Sequence, residues 1–296
     1  MQTKRQIQQL LESAGIRPNK RLGQHFLIDL NLMRLLIGSA DIQSEDVVLE
    51  VGCGTGSLTE ALAERGGKII AVEYDRNLAE IALQRFKDYK NVKLLNTDIL
   101  KSKNALNNTV INEIETAQKQ HRGDLLLVAN LPYNAASPVM MNLITSPLKA
   151  DRMVVTVQKE VADRMTASPE SSDYGILSIV LDATGDIKTI KTLKSTVFWP
   201  QPQVDSAMVS FIRSKEKSGR IKNMGLFVQI VNIFMGHRRK TLSAITKLSH
   251  FGHIKINNWT EIFKKCSIDP SQRPETLNAD KFINISNCAR KSSICT

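Results

Sequence analysis

This 296-residue chain predicts a doubly wound α/β sheet followed by a small helical C-terminal domain, and three observations carry that expectation. From Val47 to Val157, five short apolar runs alternate with helix-patterned segments. Beyond Arg213, apolar residues recur at helical spacing, with no strand-like alternation. Charge divides at the same place. Residues 1–212 hold 24 basic and 24 acidic side chains, whereas 213–296 hold 16 and 5, so the C-terminal stretch carries the entire net +11.

The runs are Val47–Val51, Lys68–Val72, Val92–Leu95, Leu125–Val128 and Met153–Val157. Near-continuous apolar runs of this length suit parallel strands covered on both faces. Between the first two lies Leu58-Thr59-Glu60-Ala61-Leu62-Ala63-Glu64-Arg65, a helix closed by the C-cap signal Gly66-Gly67. Asn77 to Arg85 repeats the helical pattern, and strand–helix repetition is the mark of a doubly wound sheet. The polar, Asn/Gln-rich stretch 101–122 is expected to be a surface excursion between strands. Further strands are expected near 187–193 and 207–212, with Pro200 and Pro202 between them. The charged segment 214–220 has linker composition. After it, Leu226, Phe227, Ile230, Val231 and Phe234 mark the first helix of a domain over 213–296, set against a larger domain over 1–212.

Composition excludes several classes. No apolar run approaches the ~18 residues of a membrane span. The polar stretch after Met1 lacks the apolar core of a secretion signal, so a cytoplasmic protein is expected. Cys53, Cys266, Cys288 and Cys295 form no CxxC pair. Cys288 and Cys295 have spacing for a bridge in an oxidising setting, but a reducing compartment is the simpler expectation. The five histidines are scattered, so no metal site is expected. A neutral body with a basic tail suggests a polyanionic partner, either nucleic acid or an anionic membrane surface.

Glu50-Val51-Gly52-Cys53-Gly54-Thr55-Gly56 closes the first strand and opens a helix. Glycines there, Gly52 and Gly54 foremost, let the backbone approach a ligand closely. The spacing is G-x-G-x-G, not the G-x-G-x-x-G of a dinucleotide site, which argues against a nicotinamide-dependent oxidoreductase. The acidic Glu50 would repel a pyrophosphate but suits a cationic amino-acid moiety such as that of S-adenosylmethionine. Glu73 ends the next strand, 21 residues after Gly52, where a carboxylate accepts both hydroxyls of a ribose. Asp98 follows the third strand, at the ligand-binding edge of such sheets, in reach of an adenine amino group.

The sharpest signal is Asn130-Leu131-Pro132-Tyr133 after the fourth strand. An exocyclic base amine is a poor nucleophile because its lone pair is conjugated into the ring. Two acceptors, the Asn130 amide oxygen and the Pro132 carbonyl, would hold its hydrogens and draw the nitrogen toward tetrahedral geometry. No strong base is needed, since the ammonium formed on alkylation is acidic, and oriented dipoles meet its charge. Tyr133 offers a ring on which the base can stack.

At this point the chain resembles the ribosomal RNA small-subunit adenine dimethyltransferase family, of the KsgA/RsmA type. The matching segments are Leu22-Gly23-Gln24-His25-Phe26-Leu27, the glycine turn, Glu73-Tyr74-Asp75, Asp98, Asn130-Leu131-Pro132-Tyr133 and Phe198-Trp199-Pro200-Gln201-Pro202-Gln203-Val204-Asp205-Ser206. Arg238-Arg239-Lys240-Thr241-Leu242 and Arg273-Pro274-Glu275-Thr276-Leu277 match in the tail. The resemblance implies a Rossmann-like class I S-adenosylmethionine-dependent methyltransferase sheet with a small C-terminal all-helical domain. It further implies that an N-terminal segment, 1–29, reaches cofactor and RNA. His25 and Leu27 would contact the cofactor and Gly52 its amino-acid end. Glu73 would take the ribose, Asp98 the adenine and Asn130 the methyl-transfer site. The family commonly has Asn where this chain has His25, a change that a backbone contact would survive. Phe198 would cover the other face of the target adenine.

The implied reaction dimethylates N6 of two adjacent adenosines in a hairpin near the 3′ end of 16S rRNA, within a pre-30S particle, by a monomeric enzyme. Two rivals stand beside it: a large-subunit (23S) adenine methyltransferase of the macrolide-resistance type, and a mainly RNA-binding assembly factor on the same scaffold. The candidates for gripping RNA phosphates are Arg213, Lys215, Lys217, Arg220 and Lys222 at the junction, then Arg238, Arg239 and Lys240.

Overall fold

The computed structural model describes residues 1–19, 22–248, 256 and 258–292. In chain order its elements are α1 (Lys4–Ser13), β1 (Phe26–Leu27), α2 (Leu30–Ala40), β2 (Val47–Val51), α3 (Ser57–Ala63), β3 (Lys68–Glu73), α4 (Arg76–Phe86) and β4 (Val92–Asn96). There follow β5 (Leu100–Ser102), β6 (Ala105–Leu106), α5 (Asn108–Gln120), β7 (Leu125–Asn130), α6 (Ala136–Thr145), β8 (Arg152–Gln158) and α7 (Lys159–Met165). Next come α8 (Ile176–Thr184), β9 (Gly185–Leu193), β10 (Phe198–Trp199) and β11 (Ser206–Arg213). The last are α9 (Lys215–Gly219), α10 (Met224–Gly236), α11 (Leu242–Thr246), α12 (Trp259–Lys265) and α13 (Ala279–Ser292). Short polar side chains start many of the helices: Asp29 caps α2, Asp75 caps α4, Asn107 caps α5 and Asn223 caps α10, each accepting from a first-turn N–H.

Seven strands form one sheet in the order β4-β3-β2-β7-β8-β11-β9. Neighbours from β4 to β8 run parallel, and β11 returns antiparallel to β8. The five expected strands are β2, β3, β4, β7 and β8. Four of them are the apolar runs that bury nearly every residue, because helices cover both faces; the outer strand β4 is only partly buried. Chain order runs outward from β2 to β4, then restarts at β7 and proceeds the other way. The reversal lies between β2 and β7, and ligands bind at the carboxyl ends of strands flanking such a point.

Two expectations are corrected. The stretch 101–122 does lie between strands, β4 and β7, but is not wholly on the surface: it forms most of the β5–β6 hairpin and the 13-residue helix α5, which buries one face. Val110, Ile114 and Ala117 are buried at intervals of four and three, so the Asn/Gln-rich composition describes only the solvent face. Segment 214–220 is likewise no open linker but holds α9, whose N-cap Ser214 accepts from the Lys217 N–H at 3.1 Å.

The chain divides into two compact units, residues 1–162 with 188–212 and residues 163–187 with 213–296. These differ from the expected domains in 163–187, which group with the C-terminal part. The reason lies in α8, whose Leu177, Ile179, Val180 and Leu181 are buried, with α10 and α13 as its packing partners. Inside the second unit, Phe234, Trp259 and Phe263 form an aromatic cluster with centroids 5.5–6.3 Å apart. The Cys288 sulfur lies 3.5 Å from that of Cys266, both free thiols, while Cys295 falls outside the described residues.

Candidate active site

A cavity of about 420 Å³ opens in the first unit at the carboxyl ends of β2, β3 and β7. The glycine turn after β2 forms one wall. Gly52 has φ +76°, and a Cβ there would lie 2.9 Å from Pro132 Cγ. Gly54 has φ +58°, and its Cβ would lie 2.9 Å from the Phe26 ring. Close approach as well as left-handed backbone therefore demands glycine at both positions. The turn, the Asn-Leu-Pro-Tyr segment and the Phe26 segment, distant in sequence, meet here.

Glu73 is 6% exposed, and its two oxygens accept the N–H groups of Gly54 and Asp75, each at 2.8 Å. Burial raises its pKa, and the two backbone N–H groups counteract that rise. Each oxygen retains lone-pair capacity toward the cavity, as a vicinal diol requires. Glu50 is 2% exposed; burial pushes its carboxyl up to about 8, opposed by the Thr59 hydroxyl, which donates at 2.6 Å, and reinforced by the charge of Glu73. The Cys53 thiol between the glycines is pushed up by burial first and then by both carboxylates. Asp98 lines the cavity at an exposed position and accepts the Leu100 N–H at 2.8 Å. Tyr74, 61% exposed, and Ile99 add apolar wall beside it.

Asn130 ends β7 with its amide fixed in one orientation. Its Nδ2 donates to the His25 carbonyl at 2.7 Å, and its Oδ1 accepts from the Thr156 hydroxyl. A carbonyl can only accept, so the nitrogen must face His25 and the oxygen Thr156. Oδ1 keeps a second lone pair. The Pro132 carbonyl accepts the Ala135 N–H at 2.9 Å and likewise keeps one. The Tyr133 hydroxyl pairs with Ser206 Oγ at 3.0 Å, and the His25 ring stacks on Tyr133 with centroids 5.3 Å apart. His25 Nδ1 lies 2.6 Å from the Pro200 carbonyl, which requires the proton on that nitrogen. The His25 side chain is thus engaged by Pro200 and Tyr133, and its backbone carbonyl by Asn130.

Phe198 departs from expectation. It is 3% exposed, packs in the core with Leu27, Met33 and Leu36, and is absent from the cavity wall. The cause is register: Phe198 pairs with Leu27 and Trp199 with Phe26, so alternation turns Phe198 inward. It packs behind the cavity and is not part of its lining. Leu27 is itself buried in that core but does line the cavity.

Arg238, expected at RNA phosphate, is also corrected. Its Nε donates to Glu275 at 2.8 Å, and its remaining nitrogens reach the carbonyls of Ser171, Ser172 and Tyr174 at 3.0–3.3 Å. Four of its five N–H donors are engaged inside the second unit. Lys217 is bonded to Asp182, Asp186 and the Gly185 carbonyl at 3.0–3.2 Å. Arg220 pairs with Asp280 at 2.9 Å and Arg213 is half-buried, whereas Lys215, Lys222, Arg239 and Lys240 are exposed.

Sequence reasoning missed Thr156, the residue that orients Asn130. A lone hydroxyl inside the apolar run of β8, 1% exposed, was the available signal. It also missed Gln2, which hydrogen-bonds the glycine turn and carries no local motif.

The pattern of a family described as "Ribosomal RNA adenine dimethylase" matches residues 15–291. The "Ribosomal RNA small subunit methyltransferase A" of Geobacillus sp. (strain WCH70) is 36% identical over 281 residues, 94% of each chain. That of Bacillus mycoides (strain KBAB4) is 34% identical over 286 residues, 96% of each. Among solved structures, a dimethyladenosine transferase from Plasmodium falciparum superposes with TM-score 0.70 at 24% identity, covering 87% of this chain and 94% of that one. The 23S rRNA methyltransferase ErmE gives 0.60 at 17%, covering 90% and 99%, a likeness of fold.

Proposed function

Because the chain belongs to the ribosomal RNA adenine dimethylase family, we propose that it dimethylates N6 of two adjacent adenosines near the 3′ end of small-subunit rRNA, using S-adenosylmethionine. The observation that carries this reading is the close approach of Pro132 to Gly52, which leaves no room for a Cβ and joins the cofactor-type turn and the amine-type tetrapeptide in one cavity. The donor set fits the cofactor. Glu73 offers acceptors for the ribose hydroxyls, Glu50 a carboxyl for the ammonium, and Asp98 an acceptor for the adenine amino group, with Tyr74 and Ile99 as apolar wall. When bound, the cofactor supplies an electrophilic methyl group on a sulfonium.

The chain's own residues do the rest. Asn130 Oδ1 and the Pro132 carbonyl accept the two hydrogens of the target amine, and the ring of Tyr133 flanks the base. Thr156 and His25 hold Asn130 so that its oxygen need not reorient during reaction, which is preorganisation. The first unit is the methyl-transfer domain, with its 1–29 segment on the cofactor side; residues 213–296 are the RNA- and ribosome-binding part. Lys215, Lys222, Arg239 and Lys240, with Arg220 and Arg213 at the junction, are the candidates for phosphate contact. The protein acts in the cytoplasm as a monomer. Among the described residues no helix is long and apolar enough to cross a membrane.

The test is incubation with undermethylated small-subunit particles, separately with large subunits, in labelled S-adenosylmethionine, followed by mapping of modified adenines. Dimethylation of two neighbouring small-subunit adenosines is expected; modification of large-subunit RNA alone would overturn the assignment. Asn130→Ala should cut transfer by about 10²-fold or more while leaving RNA affinity within about twofold. If transfer survives, Asn130 does not hold the amine.

A further inference from the structure

One edge of the seven-stranded sheet is β9, which pairs with β11 and has no strand on its other side among the described residues. Its sequence runs Ile187-Lys188-Thr189, Ile190-Lys191-Thr192, Leu193-Lys194-Ser195, an apolar–lysine–hydroxyl triplet written three times. Burial follows the triplet. Leu193 is buried, Ile187 and Ile190 are partly so, and every lysine and threonine of the run is exposed. Ile190 packs against the core that holds Leu193 and Phe198. The apolar positions thus anchor the strand, and the lysines and hydroxyls face water.

Charge on this edge is not neutralised locally. Residues 188–212 hold three lysines and a single acid, Asp205. Asp205 takes only Lys194, at 3.1 Å, and its other oxygen accepts the Ser195 N–H at 3.0 Å. Asp186, the acid nearest in sequence, is bonded to Lys217 at 3.0 Å. Among the described residues Lys188 and Lys191 have no acidic partner.

The lysine row ends on the cavity's side of the sheet. Asp205, which holds its last member, precedes Ser206, and Ser206 pairs with Gln158 at the carboxyl end of β8. The Ser206 hydroxyl in turn bonds that of Tyr133 at 3.0 Å. β9 stands three strand spacings from β7, about 14 Å at ~4.8 Å each. Lys188 and Lys191 are about 10 Å apart at ~3.3 Å per residue. Phosphates running along β9 would meet both lysines while a base of the same RNA reached Tyr133.

We propose that the exposed side of β9, with Lys188 and Lys191 at its centre and the hydroxyls of Thr189 and Thr192 between and beside them, is a phosphate-contact surface that holds the substrate RNA next to the cavity. This rests on the ribosomal RNA reading above and deepens it, because RNA contact is then not confined to 213–296. Lysines and hydroxyls are the donors that position a nucleic-acid backbone without reading bases. A bilayer would need exposed apolar residues to insert, and the run has none.

Lysine on an edge strand also blocks edge-to-edge pairing, and the variants separate the two roles. Binding of the full chain to undermethylated small-subunit particles is measured against salt, with sedimentation of the free protein and S-adenosylhomocysteine affinity alongside. Lys188→Gln with Lys191→Gln should weaken particle binding about tenfold near ~0.1 M salt and lower the salt slope by roughly 1.4–1.8, the value for two contacts. Lys188→Glu with Lys191→Glu keeps the edge charged against self-association and should weaken particle binding further. The paired Arg variants should stay within about twofold of the unaltered chain, and cofactor-product affinity within about twofold in all. Lys87→Glu with Lys90→Glu, exposed residues ahead of the opposite edge strand β4, makes the same charge change away from the row and should cost about twofold or less. A loss in this control as large as in the β9 Glu pair, or an unchanged slope in both β9 pairs, overturns the proposal. So does self-association of the Gln pair with full particle affinity in the Glu pair, which assigns the lysines to edge protection alone. Failure of the unaltered chain to bind the particles would instead strike the substrate reading, and this inference with it.

Discussion

Thr156 and Glu50 are the two buried polar residues in the first unit with the most direct consequences. Thr156→Val replaces the hydroxyl by a methyl and removes its bond to Asn130, leaving the amide held from one side only, by the His25 carbonyl. Turnover should fall by roughly 10–100-fold, while S-adenosylhomocysteine affinity changes less than about twofold. A fall in cofactor affinity equal to the fall in kcat would sink the orienting role. Glu50 carries a pH signature. Its pKa rises from 4.5 unfolded to about 8 folded, so the folded state binds the extra proton between those values. Its contribution to stability is fully present below pH 4.5 and is lost as pH climbs toward 8. Glu50→Gln should therefore flatten the decline of Tm between pH 5 and 8 that burial of this carboxyl imposes; Glu73, also raised, keeps part of it. An unchanged slope in the variant would contradict the raised value. These two residues differed in legibility. Glu50 advertised itself beside the glycine turn, whereas Thr156 acts across a strand boundary, and cross-strand neighbours are set by register, not by sequence proximity.

Among the elements, the clearest lesson comes from the connection holding Arg238 beyond the end of α10. The Arg238-Arg239-Lys240 run is one basic cluster in sequence, but the fold divides it. Arg238 bonds Glu275 and the carbonyls of Ser171, Ser172 and Tyr174, while Arg239 and Lys240 are exposed. Arg238→Ala would orphan three backbone carbonyls and a carboxylate, at a cost of about 2–3 kcal/mol. A lowered Tm with RNA affinity nearly retained, measured well below that Tm, is the expected result; weaker RNA binding at full stability would restore the phosphate role. α5 teaches the same from composition. Its three buried side chains are few enough to hide in an Asn/Gln-rich stretch, so overall polarity concealed the amphipathic stripe. The strands β2, β3, β7 and β8 were easy because burial on both faces makes every residue apolar and the signal continuous.

For the whole molecule, the net charge and the cavity lie in different parts of the chain. Replacing Lys215, Lys222, Arg239 and Lys240 together by Gln should weaken particle binding and lower its salt slope by roughly 0.7–0.9 per phosphate contact removed. Cofactor affinity should stay within about twofold, and an unchanged slope would place the RNA contacts elsewhere. The sequence by itself determined the sheet, the glycine turn with Glu73 and Asp98, the Asn-Leu-Pro-Tyr segment and the family. Those are written in local pattern: periodicity, turn chemistry and motifs a few residues long. Tertiary structure alone decided that Phe198 turns into the core, that Arg238 and Lys217 bond within the second unit, that 163–187 belong with the C-terminal unit, and that Gln2 reaches Thr55. Each of these depends on which face of an element meets which partner. The same side chain serves as ligand or as packing according to neighbours brought in from dozens of residues away.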